Sequence, residues 1–203
     1  NAEGKVIQPD AVPGDVRFRD IDGNGEIDED DKIYSGSGIP KLEANLNLGI
    51  SYKGFDFSML LGSGWGHKLY NANRFYFEGM SSPSNFFKTT LNAWTDSNHS
   101  TSMPRAVLGD PNRNSRESTR FLENGNFVRC RQLQLGYNLP TSLLKKIQIE
   151  KLRIYVSGEN LFTITDYSGI DPGFSRSSVL NTGVDNLTYP FTKSYVIGLQ
   201  LTF

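Results

Sequence analysis

The chain has 203 residues, and 21 Lys and Arg against 22 Asp and Glu leave a formal charge of −1, which gives no electrostatic footprint for nucleic acid. No run approaches the roughly 18 apolar residues of a spanning helix, and a mean hydropathy of −0.42 excludes a helical membrane protein. Strands that cross a membrane escape this test, because half of each is polar. Twenty Gly, 12% aromatic and only 37% apolar residues lean towards β structure with many turns. Cys130 is the single cysteine, so intrachain disulfides and thiolate metal sites are out and it reads as a small hydrophobe. With no initiating methionine and no signal peptide, the chain reads as a mature or internal fragment.

Residues 1–40 are irregular, punctuated by Pro9, Pro13, Gly14, Gly36, Gly38 and Pro40. Within them, Asp20, Asp22, Asn24, Asp28 and Asp31 fall at positions 1, 3, 5, 9 and 12 of a calcium loop. Gly25 sits at the turn position 6, Glu26 at position 7 offers its backbone carbonyl, and Ile27 supplies the apolar anchor. That spacing turns alternate oxygens towards one centre. Asp31 stands where helix-flanked loops carry Glu, and its shorter arm weakens the expected site to an affinity of about 10⁻⁴ to 10⁻³ M. The flanking Gly and Pro residues argue against helices on either side, so the expected Ca²⁺ is a structural staple. The competing reading is a solvated acidic turn held by Asx-type hydrogen bonds.

From Lys41 the alternation is clean. Leu42, Ala44, Leu46, Leu48, Ile50 and Tyr52 share one face, and Glu43, Asn45, Asn47, Gly49 and Ser51 the other. Lys53-Gly54 is a tight turn, after which Phe55, Phe57, Met59 and Leu61 oppose Asp56, Ser58, Leu60 and Gly62. Residues 62–126 form a long stretch rich in Asn, Ser, Pro and aromatics. Trp65, Tyr70, Phe75, Tyr76 and Trp94 lie in it as candidate substrate or partner contacts, the competing reading being that they pack the loop on itself. His67 and His99 have no partner at ligand spacing and read as exposed loop residues.

A strand resumes over residues 127–139, with Leu133, Leu135, Tyr137 and Leu139 in phase but Val128 and Cys130 out of it. A bulge around Arg131-Gln132 resets the register and keeps two guanidiniums out of lipid. Residues 140–149 are a short turn with one helical turn expected over 142–146. Leu152, Ile154 and Val156 then oppose Arg153, Tyr155, Ser157 and Glu159, and a loop over 165–192 leads to the last strand, where Tyr195, Ile197, Leu199, Leu201 and Phe203 oppose Val196, Gly198, Gln200 and Thr202.

Counting back from Phe203, connections alternate long and short, which is the asymmetry of a transmembrane β-barrel with short periplasmic turns and long extracellular loops. The expected class is all-β, an antiparallel transmembrane β-barrel, with residues 1–40 an extracellular loop carrying the calcium-type motif and residues 41–203 the C-terminal strands. In that reading Glu43, Asn45, Asn47, Asp56, Ser58, Arg153 and Glu159 line the lumen. About five strands do not close a barrel, which needs roughly eight, so the strands are expected to pair with further ones. A smaller complete barrel requires extra strands, for which 16–19 and 73–77 are the candidates. A soluble, calcium-stapled β-domain that binds carbohydrate is the alternative; insolubility without detergent separates the two. No pattern points to an enzyme.

Several segments then carry a resemblance. They are Pro13-Gly14-Asp15-Val16-Arg17-Phe18-Arg19-Asp20 running into the Asp-rich loop, Gly109-Asp110-Pro111-Asn112, Arg120-Phe121-Leu122-Glu123-Asn124-Gly125 and Leu135-Gly136-Tyr137-Asn138-Leu139-Pro140. Tyr155-Val156-Ser157-Gly158-Glu159-Asn160-Leu161-Phe162, Gly169-Ile170-Asp171-Pro172 and residues 195–203 continue the series in order. Together they resemble the C-terminal end of the SusC/RagA type of TonB-dependent outer-membrane transporter from Bacteroidota. The resemblance implies a 22-stranded barrel around a plug in the outer membrane of a Gram-negative bacterium. It also implies a SusD-like lipoprotein lid, energy from TonB through a segment absent here, contact with outer-membrane lipid, and uptake of glycan or peptide fragments.

Overall fold

The computed structural model describes Gly4 and residues 6–145, 148–173 and 182–203. They fall into two compact units, residues 1–36 with 70–122 and residues 37–69 with 123–203.

The second unit is organised by a five-stranded antiparallel sheet. Its strands are β1 (Leu42–Tyr52), β2 (Phe55–Trp65), β5 (Phe127–Asn138), β6 (Lys151–Thr165) and β8 (Ser194–Thr202), in the order β1-β2-β5-β6-β8. Three short strands, β3 (Lys68–Asn71), β4 (Leu122–Asn124) and β7 (Val184–Asp185), pair in the order β4-β3-β7. β2 runs on to Trp65, past the Gly62 where the alternation fades, because Gly62 and Gly64 pair in register with Asn45 and Glu43. Lys53 (φ 47°) and Gly54 (φ 87°) both take the left-handed backbone that a two-residue hairpin turn with matching twist requires. The connection over residues 139–150 leaves from the same end of the sheet and carries one helical turn, α2 (Thr141–Leu144); Lys146 lies outside the described residues, as do 174–181 of the later loop. Both long connections leave from the opposite end.

The register decides what each face carries. Leu46 pairs with Leu61, Leu48 with Met59 and Ile50 with Phe57. Phe57 pairs in turn with Leu135, and Met59 with Leu133. Leu135 pairs with Val156 and Val156 with Ile197, so one apolar face runs unbroken across all five strands. The expected bulge is present: the register shifts between Cys130 and Gln132, leaving Arg131 without a partner position. The shift sets Cys130 opposite Leu61 and Val128 opposite Ser63, on the apolar side, and sets Arg129 opposite Gly62 on the polar side. Leu42, Leu48, Ile197 and Leu199 are exposed, with 59%, 39%, 81% and 65% of their surfaces free, so no second sheet or helix covers this face among the described residues. Phe55 and Tyr137 close its turn end with ring centroids 4.5 Å apart, the aromatic edge that a membrane interface favours.

The two further strands that a small complete barrel would need are not formed. Residues 16–19 are irregular, and 73–77 belong to α1 (Ala72–Phe77), begun by Asn71, whose side chain accepts from the Arg74 backbone N–H. Helix wins there because the Asn cap satisfies a first-turn donor.

Arg129 fixes the loop after β6 to the wall. Its side chain is buried and ion-pairs with buried Asp171, while Nε donates to Thr163 Oγ1 at 3.0 Å. The guanidinium also lies 4.7 Å from the Phe191 ring centroid. Asp171 in turn accepts from the backbone N–H groups of Gly173 (2.8 Å) and Phe191 (3.0 Å), so one carboxylate gathers both legs of the loop. Arg129→Ala strands this buried carboxylate, a loss of about 3–5 kcal/mol. Hydrogen exchange on the full-length protein should then show faster exchange over 166–173 and 182–193 with β6 unchanged; unaltered protection of both legs would refute the clamp.

Candidate functional site

The polar face of the sheet is bound together by groups that reach past a neighbouring strand. Arg153 on β6 donates from Nε and Nη2 to Asp56 on β2, at 2.9 and 2.5 Å, passing over Gly136 of β5. A Cβ at Gly136 would come within 2.5 Å of both partners, so the missing side chain is what opens the path. The same guanidinium stands 5.0 Å from the Tyr155 ring centroid, and that ring covers Gly198 on β8. Asp56, Arg153 and Tyr155 thus connect β2, β6 and β8 through side chains that pass over β5. Glu43, Asn45 and Asn47 are exposed on the same face of β1, and Glu159 accepts from Ser194 Oγ at 3.0 Å. Such a surface offers hydrogen-bonding groups and paired charges to a hydrated solute. The sequence supplied the phase of Asp56 and Arg153; their pairing across Gly136 was not legible, because it depends on register.

The Asp-rich loop folds around its own carboxylates. Asp20 accepts from the backbone N–H of Gly23 (2.7 Å) and Gly25 (3.0 Å), and Asp22 from that of Asn24 (3.0 Å). Asp31 accepts from the Ile21 N–H (2.6 Å) and the Asp28 N–H (2.9 Å), closing the loop end to end. These backbone donors hold the Asp31 carboxyl below the ordinary carboxylate value. Gly23 and Gly25 take left-handed backbone, at φ 80° and 85°, which a side chain would strain. Carboxylate oxygens of Asp20, Asp22 and Asp31 converge within 4.8 Å of one another. Asn24 Oδ1 is engaged by the Glu26 N–H at 2.8 Å, and Asp28 caps the 3₁₀ turn Glu29–Asp31 by accepting from the Asp30 N–H at 2.9 Å. Positions 1, 3 and 12 are therefore brought together, positions 5 and 9 flank them, and the donors are hard oxygens suited to Ca²⁺.

The loop aromatics pack largely on each other. Phe75 meets Phe121 and Tyr76 edge-on, with centroids 5.5 and 5.3 Å apart, and Tyr70 meets Phe121 at 6.2 Å. Burial pushes the Tyr70 phenol up to about 12. Trp94 stacks on His99 at 5.0 Å and covers Gly14, where a Cβ would strike the indole. Tyr76 stays 56% exposed and Trp65 40% exposed at the end of β2. His67 corrects the expectation of an exposed residue: it is buried at 3%, its ring seated over Gly125 and edge-on to Phe127 at 6.3 Å. A glycine on the neighbouring segment makes room for it, which no local pattern around His67 announces.

Polar residues that the sequence analysis named only within the resemblance segments, or not at all, hold this loop unit. Asp15 takes a two-point ion pair from Arg105, at 2.7 and 3.2 Å, and accepts from Asn114 Nδ2 at 2.8 Å. Gln8 joins Val16, Phe18 and Asn112. Asp110 gathers the backbone N–H groups of Asn114 (2.7 Å) and Ser115 (2.9 Å). Asp110 and Asp171 each stand directly before Pro, Asp110 also after Gly109, and an Asp-Pro step marks a turn that could have flagged both as caps.

No protein-family model matches the chain. TonB-dependent receptor P3 of Formosa agariphila is 34% identical over 204 residues, covering 98% of this chain and 20% of the receptor. TonB-dependent receptor SusC of Bacteroides thetaiotaomicron is 29% identical over 205 residues, covering 98% of this chain and 19% of the receptor. A solved structure of the RagAB peptide transporter matches with a TM-score of 0.71 at 34% identity, over 84% of this chain and 18% of the solved one. Another, of the RagAB peptide importer in its closed-closed state, gives 0.73 at 33% identity over 95% of this chain and 21% of the solved one. The chain spans about a fifth of the length of the curated relatives it matches. With sequence identity along nearly its whole length and a matching backbone in the solved RagAB structures, the chain is related to the SusC/RagA-type TonB-dependent receptors and fits a C-terminal segment of such a protein.

Proposed function

We propose that this chain is part of the wall and extracellular loops of a TonB-energised importer in the outer membrane of a Bacteroidota bacterium. The five strands belong to a closed, 22-stranded barrel in which the apolar face meets lipid and the polar face lines a wet lumen. The barrel imports glycan or peptide fragments under a SusD-like lipoprotein lid, around a plug, and performs no chemical step of its own. The observation that carries this is the apolar face itself, continuous over five strands and kept in phase by the bulge at Arg131. Exposed to water, aliphatic side chains over so broad a face would be a strong aggregation surface. Against hydrocarbon they are at home, and the paired backbone of β2, β5 and β6 satisfies the demand that lipid makes on every N–H and C=O.

The loop over residues 20–31 acts in this reading as a calcium staple that shapes the extracellular surface. Of the loop aromatics, Tyr76 and Trp65 keep enough exposure to meet a partner or substrate, while Tyr70, Phe75 and Trp94 serve mainly to set the loops.

The facing is tested in the full-length transporter. Leu46→Arg puts a cation on the lipid side, at a cost of about 2–4 kcal/mol near the membrane midplane, so the outer-membrane level of the protein should fall several-fold. Asn47→Ala, one position along on the lumen side, should leave that level unchanged. Equal tolerance of both substitutions would contradict the assignment. The staple is tested by limited proteolysis with calcium at about 1–10 mM, above the expected dissociation constant, against excess chelator. Calcium should slow cleavage within 15–33, and Asp20→Asn combined with Asp22→Asn should abolish the protection; identical digestion with and without the ion rules the staple out.

A further inference from the structure

The bulge that keeps the apolar face in phase also re-aims one cation. The Arg131 side chain lies on the polar side across Gly62, so close that a Cβ there would strike its Nε, and the missing side chain is what seats it. Most other charges in the polar phase of the five strands are engaged: Asp56 with Arg153, Arg129 with Asp171, and Glu159 with the Ser194 hydroxyl. Arg131 and Glu43 are exposed and make no hydrogen bond or ion pair among the described residues. Lys151 also lacks one, but it opens β6 at the turn end of the sheet, far from Glu43. Lys41, whose stem rests on Gly66 just before β1, forms no ion pair with Glu43.

Register sets the two free, opposite charges a fixed distance apart. Gly62, beneath Arg131, pairs with Asn45, and Glu43 lies two residues further along β1, opposite Gly64. One strand spacing across and two residues along put the backbone under Arg131 and that of Glu43 about 8 Å apart. Three residues of extended chain reach at most about 10 Å, so the ends of a short peptide span that gap. Between the charges lie the Asn45 side chain, which has no partner among the described residues, and the Phe127 ring, which covers Gly64. The amide can meet a peptide bond, and the ring gives a small side chain an apolar floor. Both charges stand towards the long connections, Glu43 as the second residue of β1 and Arg131 as the fifth of β5. A neutral glycan has no charge to offer either group, whereas a peptide with free ends offers one to each.

We infer that this stretch of the polar wall reads both ends of a short peptide, its carboxylate on Arg131 and its ammonium on Glu43. The inference rests on the importer reading, in which this face lines the lumen, and it selects the peptide from the two substrate classes named there.

The test is isothermal titration of the full-length transporter in detergent with trialanine, N-acetyl-trialanine and trialanine amide. Trialanine should bind about tenfold more tightly than either blocked form. Arg131→Gln should erase the difference between trialanine and its amide while keeping that between trialanine and the acetylated form. Glu43→Gln should do the reverse, and a residue with a merely structural role would not sort the two ends in this way. Ser51→Ala, on the same face at the turn end, should keep both differences. Equal affinity for free and blocked peptides, no binding of trialanine, tighter binding of maltotriose than of trialanine, or loss of both differences in either single variant would each overturn the proposal. The Leu46→Arg and Asn47→Ala pair tests the wall separately: where that facing holds, a failure here falls on the end-reading site alone.

Discussion

A strand beside hydrocarbon must give every backbone N–H and C=O to a neighbouring strand, because each unpaired group there costs several kcal/mol. The inner strands of this sheet, β2, β5 and β6, are paired on both sides, and the character of its faces follows from the period of two. With backbone groups committed to the ladder, only side chains distinguish the two faces, and a slip of one residue would exchange them. The sequence between Phe127 and Leu139 contains such a slip, and the extra residue at Arg131 absorbs it. Val128 and Cys130 thereby join Leu133 and Leu135, and Arg129 is delivered to the polar side where Asp171 awaits it. One irregularity thus serves both the continuity of the apolar face and the anchoring of a loop.

The polar side is held by different means. Three glycines make space there, Gly136 for the Asp56 and Arg153 pair, Gly198 for the Tyr155 ring and Gly62 for the Arg131 side chain. Residues that weaken an ordinary strand interior are used here for close approach. Side-chain ties across the strands hold this face together where, among the described residues, no second layer packs on it.

The loop unit obeys another economy. It has little regular structure, so side chains serve its backbone: Asp20 and Asp110 cap their own turns, while Asp31, Gln8 and Asn114 reach segments that no ladder joins, and Asp15 ties to Arg105 and Asn114. In the 20–31 loop the carboxylates that cap the backbone, Asp20, Asp22 and Asp31, are also those that converge.

The sequence by itself determined the five long strands, the phase of their apolar and polar faces, the hairpin turn, the bulge and the sorting of long and short connections, because each is written in neighbouring residues by a period of two or by turn chemistry; the short strands β3, β4 and β7, inside segments read as loops, carry no such period. The acidic loop was legible for the same reason, since its ligand types lie within twelve consecutive positions. Only the tertiary structure decided which distant residues meet. The Arg129 and Asp171 clamp, the Asp56 and Arg153 bridge over Gly136 and buried His67 join positions tens of residues apart. Such pairings depend on register and on how loops return, and no local periodicity carries that information.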